Sequence, residues 1–130
     1  MAYLIDTDVV IDLLVRVPAT VALLEQLAPS GLVIGIVTYM EVLQGILEGP
    51  DPATQEAEFN LFTEDVPVVA FSREVARRCA LIRADLKRQQ RRIRPRALDL
   101  ITAATALEHG YFLVTRNRAD YADVPGLSLY

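Results

Sequence analysis

Short β-rich apolar runs alternate with segments of helical character, and this alternation constrains the fold more than any other feature of the chain. The runs are Tyr3-Leu4-Ile5, Leu32 to Val37, Val66 to Phe71 and Phe112-Leu113-Val114, with Leu127 to Tyr130 a candidate fifth. Between them, Val9 to Val15, Pro18 to Leu27, Thr38 to Leu47 and Leu98 to His109 read as helices. Pro18 suits a first turn, and Gly110 closes the last helix. Residues 53 to 64 make a polar helix with Ala57, Leu61 and Phe62 on one side, entered from the loop Gly49-Pro50-Asp51-Pro52. Ser72 caps a longer helix in which Val75, Cys79, Ile82 and Leu86 form an apolar stripe, broken at Arg94-Pro95. Strand–helix–strand order of this kind implies a parallel sheet covered by helices on both faces, the α/β class.

The 130 residues fit a single domain, 1–130. A chain of that size buries roughly two-thirds of its unfolded surface and needs no covalent staples. Cys79 is the only cysteine, so no internal disulfide framework exists. No apolar run approaches the length of a membrane span, and Asp6 and Asp8 interrupt the N-terminal stretch where a signal peptide would be apolar. These features point to a soluble domain of a reducing, cytoplasmic compartment, without membrane contact.

Charge is unevenly placed. The formal net charge is −4, yet residues 73 to 96 hold ten of the 13 basic side chains against only Glu74 and Asp85, a local +8. The remaining three bases and fifteen acids give −12. A bipolar chain of this kind suits a phosphate-bearing or acidic partner on one face. All of its bases but Lys87 are arginines, the better bidentate phosphate ligands. Arg83, Lys87, Arg88, Arg91 and Arg92 are the candidate contacts to a nucleic-acid-like phosphate backbone.

Four acids occupy equivalent places. Asp6 ends the first strand, and Asp8 follows two residues on. Glu41 lies in the first turn of the helix after the second strand. Asp99 opens the helix that leads into the strand at Phe112, and Asp120 follows that strand. In a parallel α/β sheet these positions share the carboxyl edge, where ligands bind. Each has a local explanation: Thr38 to Glu41 spells a capping box, Asp99 complements a helix dipole, Asp6 and Asp8 suit a cap, and Asp120 suits an Asx turn. Independent caps have no reason to converge, however. Converging carboxylates repel unless a cation lies between them. An all-oxygen pocket suits Mg²⁺ or Mn²⁺, and no Cys/His cluster supports zinc. An acidic metal pocket beside an arginine-rich segment points to phosphodiester hydrolysis.

The motifs YLIDTDVVID, TYMEVLQG, LDLITAATALEHG and LVTRNRADY, spread from Tyr3 to Tyr121, resemble those of PIN-domain ribonucleases, specifically VapC-type toxins of type II toxin–antitoxin pairs. The resemblance implies a single PIN-like domain with a five-stranded, mainly parallel sheet. It implies that Asp6, Glu41, Asp99 and Asp120 form the catalytic and metal-binding quartet, with Thr115 and Asn117 supporting the last acid. It further implies an Mg²⁺- or Mn²⁺-dependent endoribonuclease, a homodimer, and a cognate VapB-like antitoxin that blocks the site. The family often has Asn where this chain has Asp8, so the extra acid bears on metal number or preference. Two other readings compete. One is a non-catalytic PIN-like module that binds RNA or protein. The other is a haloacid-dehalogenase-like phosphatase, suggested by Asp6-Thr7-Asp8-Val9. The phosphatase needs a partner lysine and a GDxxxD motif; the only lysine is Lys87, within the basic segment, and the motif is absent.

Overall fold

The computed structural model describes residues 2–130. Its elements run β1 (Tyr3–Ile5), α1 (Thr7–Leu14), α2 (Pro18–Leu27), β2 (Leu32–Gly35), α3 (Ile36–Leu47), α4 (Pro52–Asp65), β3 (Val68–Val69), α5 (Arg73–Arg88), α6 (Ala97–His109) and β4 (Phe112–Val114). The strand order is β3-β2-β1-β4, with every pairing parallel. Four strands form rather than five. The expected last strand contributes one parallel bridge, Leu113 to Leu129, flanked by 2.9 Å backbone hydrogen bonds from Leu113 to Ser128 and from Tyr130 to Leu113.

Strand alternation divides the interior into two cores. Leu4, Val33 and Leu113 face α5 and α6, whose Val75, Cys79, Ile82, Leu86, Leu100 and Ala104 complete one layer. Ile5, Ile34 and Val114 face the other way, toward Val9, Val10, Leu24, Val42 and Phe59. The stripe on α5 is buried as its spacing requires. Ser72 caps that helix, its Oγ accepting from Val75 N at 3.1 Å. Gly110 closes α6 in the left-handed region at φ 71°, a conformation that costs glycine little.

Several boundaries differ from the sequence reading for identifiable reasons. The run Leu32 to Val37 stays extended only to Gly35, because β3 offers only Val68 and Val69 as partners. Ile36 and Val37 therefore enter α3, and tertiary context overrides their β-propensity. Gly35 then stands at the helix start and Thr38 inside it, so the Thr38–Glu41 capping box does not form; Glu41 lies in the second turn. The run Val66 to Phe71 pairs only at Val68 and Val69; at its start Pro67 has no N–H to give, although its carbonyl accepts from Ile34 N at 3.0 Å. In α4 the buried residue is Phe59, stacked 5.4 Å from Tyr39, whereas Leu61 is exposed. Helix α5 ends before Arg94-Pro95: Gln90 takes φ 59° and Arg91 N donates to Leu86 O at 2.8 Å. No described helix is long and apolar enough to cross a membrane.

Candidate active site

Strand β1 has β2 on one side and β4 on the other, so the chain's crossovers leave in opposite directions and open a crevice at its carboxyl end. In-register pairing of Ile5 with Val114 sets the next residues, Asp6 and Thr115, side by side across that crevice. Asp6 is buried yet fully served by donors. Its Oδ1 accepts from Thr7 N at 2.8 Å, capping α1, and its Oδ2 accepts from the Thr115 hydroxyl at 2.8 Å and the Tyr121 hydroxyl at 2.9 Å. Donors on both oxygens make burial of a carboxylate tolerable.

Tyr121 links the first acid to the third. Its hydroxyl lies 3.4 Å from Asp99 Oδ1, and its ring packs with α5 and α6 in the core. Burial first, then the charges of Asp6 and Asp99, push its phenol well above the ordinary tyrosine range. It therefore stays a donor. Asp99 enters from the first turn of α6. Its carboxyl is raised to about 6, by burial first and then by Asp6, Asp120 and Glu41 in that order. The other three acids of the sequence pattern thus all bear on Asp99. Glu41 is aimed from α3 by the Thr7 hydroxyl, which donates to its Oε1 at 2.6 Å and shares a 3.1 Å hydrogen bond with the Thr38 hydroxyl.

The rim is more open. Asp120 is exposed, on a short 3₁₀ turn (Arg118–Asp120). Thr115 serves Asp6, not Asp120, because β4 lies beside β1. The Thr115 hydroxyl in turn accepts from Asn117 N at 3.0 Å, and Asn117 O accepts from Asp120 N at 3.0 Å. Asn117 thereby supports Asp120 through its backbone. Asp8 Oδ2 accepts from Arg116 N at 3.0 Å, while Oδ1 is buried with no hydrogen-bond partner. Burial, reinforced by Asp6, raises the Asp8 carboxyl. The basic candidates separate. Arg83, Lys87 and Arg88 are exposed along α5, with Arg88 only 3.5 Å from Asp85. Arg91 and Arg92 share a cleft with Asp120. Sequence reasoning passed over Tyr121 and Thr7 as site residues. Their one signal is position: each directly follows an acid of the quartet.

A hard divalent cation fits this donor set. Every group aimed into the basin is a carboxylate or hydroxyl oxygen, and Asp8 Oδ1 is an anionic oxygen with nothing to satisfy it. Among the described residues no three His, Cys, Asp or Glu side chains stand close enough together to enclose an ion.

The chain folds as a parallel α/β sheet, with Asp6 and Asp99 bridged by the Tyr121 hydroxyl beside its switch point. It belongs to the PIN domain family, whose sequence model matches residues 3–127. It is 28% identical over 127 residues to the tRNA(fMet)-specific endonuclease VapC of Shigella flexneri, covering 98% of this chain and 95% of that one. Its fold superposes on a chain of the Rickettsia felis VapBC2 complex, solved bound to a promoter DNA fragment, with TM-score 0.90, 20% identity and coverage of 100% and 98%. A toxin–antitoxin complex from Klebsiella pneumoniae matches with TM-score 0.76 and 30% identity, covering 96% of this chain and 94% of that one.

Proposed function

We propose that the chain is a toxin of a VapBC-like pair, a metal-dependent endoribonuclease that hydrolyses RNA phosphodiester bonds. The observation that carries this reading is the Tyr121 hydroxyl, which bonds Asp6 at 2.9 Å and lies 3.4 Å from Asp99, a carboxyl that burial first, then Asp6, Asp120 and Glu41, raise to about 6. Isolated helix caps do not perturb one another in this way. The name of the Shigella relative supports RNA as substrate, and the Klebsiella neighbour supports an antitoxin partner.

In this reading Asp6, Glu41, Asp99 and Asp120 hold Mg²⁺ or Mn²⁺. The ion supplies Lewis acidity, which acidifies water and neutralises charge building on the phosphate. The chain's own residues do the rest. Asp6 is immobilised by its three donors, and Glu41 is aimed by the Thr7 hydroxyl. Tyr121 keeps its proton and holds Asp6 and Asp99 in register. Asp8 adds negative charge beside Asp6 and, through Arg116 N, fixes the loop after β4. Arg83, Lys87, Arg88, Arg91 and Arg92 draw the RNA backbone in.

Two apolar surfaces offer area for protein partners, a homodimer mate and a VapB-like antitoxin. One is a groove of about 260 Å³ between α1, α3 and α4, with Ile11, Leu14 and Val15 on its wall. The other is the outer face of α3, where Ile36, Met40 and Leu47 are exposed. A cytoplasmic setting follows from the toxin reading and agrees with the single buried cysteine, Cys79.

The spread of the carboxylates favours the rival reading, a non-catalytic module that binds RNA or protein. Cleavage of a structured RNA pool containing initiator tRNA separates the two. The purified, antitoxin-free chain should cut with Mg²⁺ or Mn²⁺ and stop in EDTA, and Asp99→Asn should not cut. Cutting that persists in EDTA or in Asp99→Asn would contradict the proposed chemistry. No cutting with either metal would leave the module as the better account.

A further inference from the structure

Beside the acid basin lies a cleft of about 320 Å³ whose walls are built from charge. Arg91, Arg92 and Arg96 form one side, and Asp120 and Asp123 the other. Arg96 is fully engaged. Its guanidinium donates to Asp123 Oδ1 at 2.6 Å, to Asp120 O at 3.2 Å, and through Nε to Arg92 O at 2.9 Å. The Asp123 carboxyl is held below the usual range by that hydrogen bond. With Arg96 and Asp123 paired, Asp120 is the acid of the cleft left without a salt bridge, opposite Arg91 and Arg92. Both are exposed, and neither has an ion-pair partner among the described residues.

Three features give this cleft a direction. Its free cations are arginines, whose planar forks match phosphate oxygens. It shares Asp120 with the basin, so a chain of regularly spaced phosphates can pass from one to the other. Arg96 ties the backbone of Arg92 to the backbone of Asp120, which fixes the spacing between grip and acid. We propose that the cleft is a subsite for the RNA backbone phosphate next to the scissile one, gripped by Arg91 and Arg92, with Arg96 as a positioning residue. This rests on the ribonuclease reading and adds to it a place for the substrate.

The test compares two double variants of the full chain that remove equal charge. One is Arg91→Gln with Arg92→Gln. The other is Arg73→Gln with Arg77→Gln, at the opposite end of α5. Binding of a short fluorescent single-stranded RNA of mixed sequence is followed by anisotropy in EDTA across a KCl series. The cleft variant should lose about 0.7 from the log–log salt slope, at roughly 0.7 for the one phosphate contact, and bind on the order of 10-fold more weakly. The control variant should keep the wild-type slope. In Mg²⁺, KM for cleaved RNA should rise in the cleft variant with kcat kept within about 2-fold. Arg96→Lys keeps the charge but not the fork, so kcat should fall several-fold with the salt slope unchanged.

An unchanged slope in the cleft variant would overturn the subsite, as would an equal loss in both double variants, which marks a diffuse field. Loss of binding to a poly-glutamate peptide with RNA binding intact would overturn it in favour of an acidic protein partner. A fall in melting temperature alone for Arg96→Lys would overturn the positioning role. If wild type cuts no RNA, the ribonuclease reading fails by itself, and the salt slope still decides whether Arg91 and Arg92 grip phosphate.

Discussion

The buried end of the basin and its open rim both crowd charges together, and they tolerate the crowding by different means. At the buried end, Asp6 and Asp99 share one neutral donor, Tyr121, and among the described residues no cationic side chain hydrogen-bonds to either. At the rim, Asp123 and the Asp120 backbone are held by a cation, Arg96. The consequence is visible in proton affinity. Asp99 is raised to about 6, chiefly by burial, whereas Asp123 is lowered, chiefly by the Arg96 hydrogen bond. One end is left electrostatically unsatisfied and the other is closed. An unsatisfied cluster is where a cation gains most, and a closed one is where a frame gains rigidity.

The largest break in this comparison comes at Asp99. Asp99→Asn removes one charge from the unsatisfied end, and metal-dependent RNA cleavage should fall by about 10³-fold or more, the scale of several kcal/mol of lost charge stabilisation. In EDTA the same variant should be as stable as wild type at neutral pH, or more so, because a repelled carboxylate has gone. Denaturant melts with and without metal check both halves.

Tyr121→Phe leaves the ring in the core and deletes only the hydroxyl. Asp6 then keeps two of its three donors, and metal-free stability should fall by about 2 kcal/mol, as for a hydrogen bond to a charged group. A smaller loss accompanied by normal cleavage would show that Tyr121 merely fills space. At the rim, Asp123→Asn keeps the shape and weakens the bond to Arg96, whose side chain is only 12% exposed. The expected loss is about 1 kcal/mol, with RNA cleavage reduced by less than in Tyr121→Phe.

The smallest effect is in pH dependence, and here the two ends should have opposite signs. The Asp99 value in the folded chain lies above its unfolded 3.8. Its contribution to stability is full below that unfolded value and is lost as pH rises through about 6. Asp123 is depressed instead, so its contribution is present above the unfolded value and is lost as pH falls through the folded one. Metal-free melting across this range should therefore lose its alkaline-going decline in Asp99→Asn and its acid-going decline in Asp123→Asn. Identical profiles in both variants would dissolve the distinction.

How much of this was legible in the sequence depends on how local the information is. The alternation of Tyr3-Leu4-Ile5 and Phe112-Leu113-Val114 with helical segments suffices for a parallel α/β fold, and the α5 stripe is correct in every buried position. These are properties of short windows. Asp6 and Asp99 were legible as the end of a strand and the start of a helix for the same reason. What failed needs knowledge of neighbours. Leu32 to Val37 looks like six strand residues, but how far it pairs depends on Val68 and Val69, far along the chain. The burial of Phe59 rather than Leu61 depends on Tyr39 being there to receive it. Thr115 was assigned to Asp120, its near neighbour in sequence, whereas the lateral register of β4 with β1 gives it to Asp6. Tyr121 carries no sequence mark of its role beyond following Asp120, because its ring is core and only its hydroxyl is site.

The central claim is that the four acids form one cation-binding basin. The direct test is the melting temperature of wild type and Asp99→Asn, each titrated with Mn²⁺ against an EDTA reference. Wild type should gain on the order of 10 °C at metal concentrations well above the dissociation constant, as mass action on a preformed native site requires. Asp99→Asn should lose most of that gain while matching or exceeding wild type in EDTA. Equal melting of wild type with and without Mn²⁺, or equal gains in both proteins, would contradict the account.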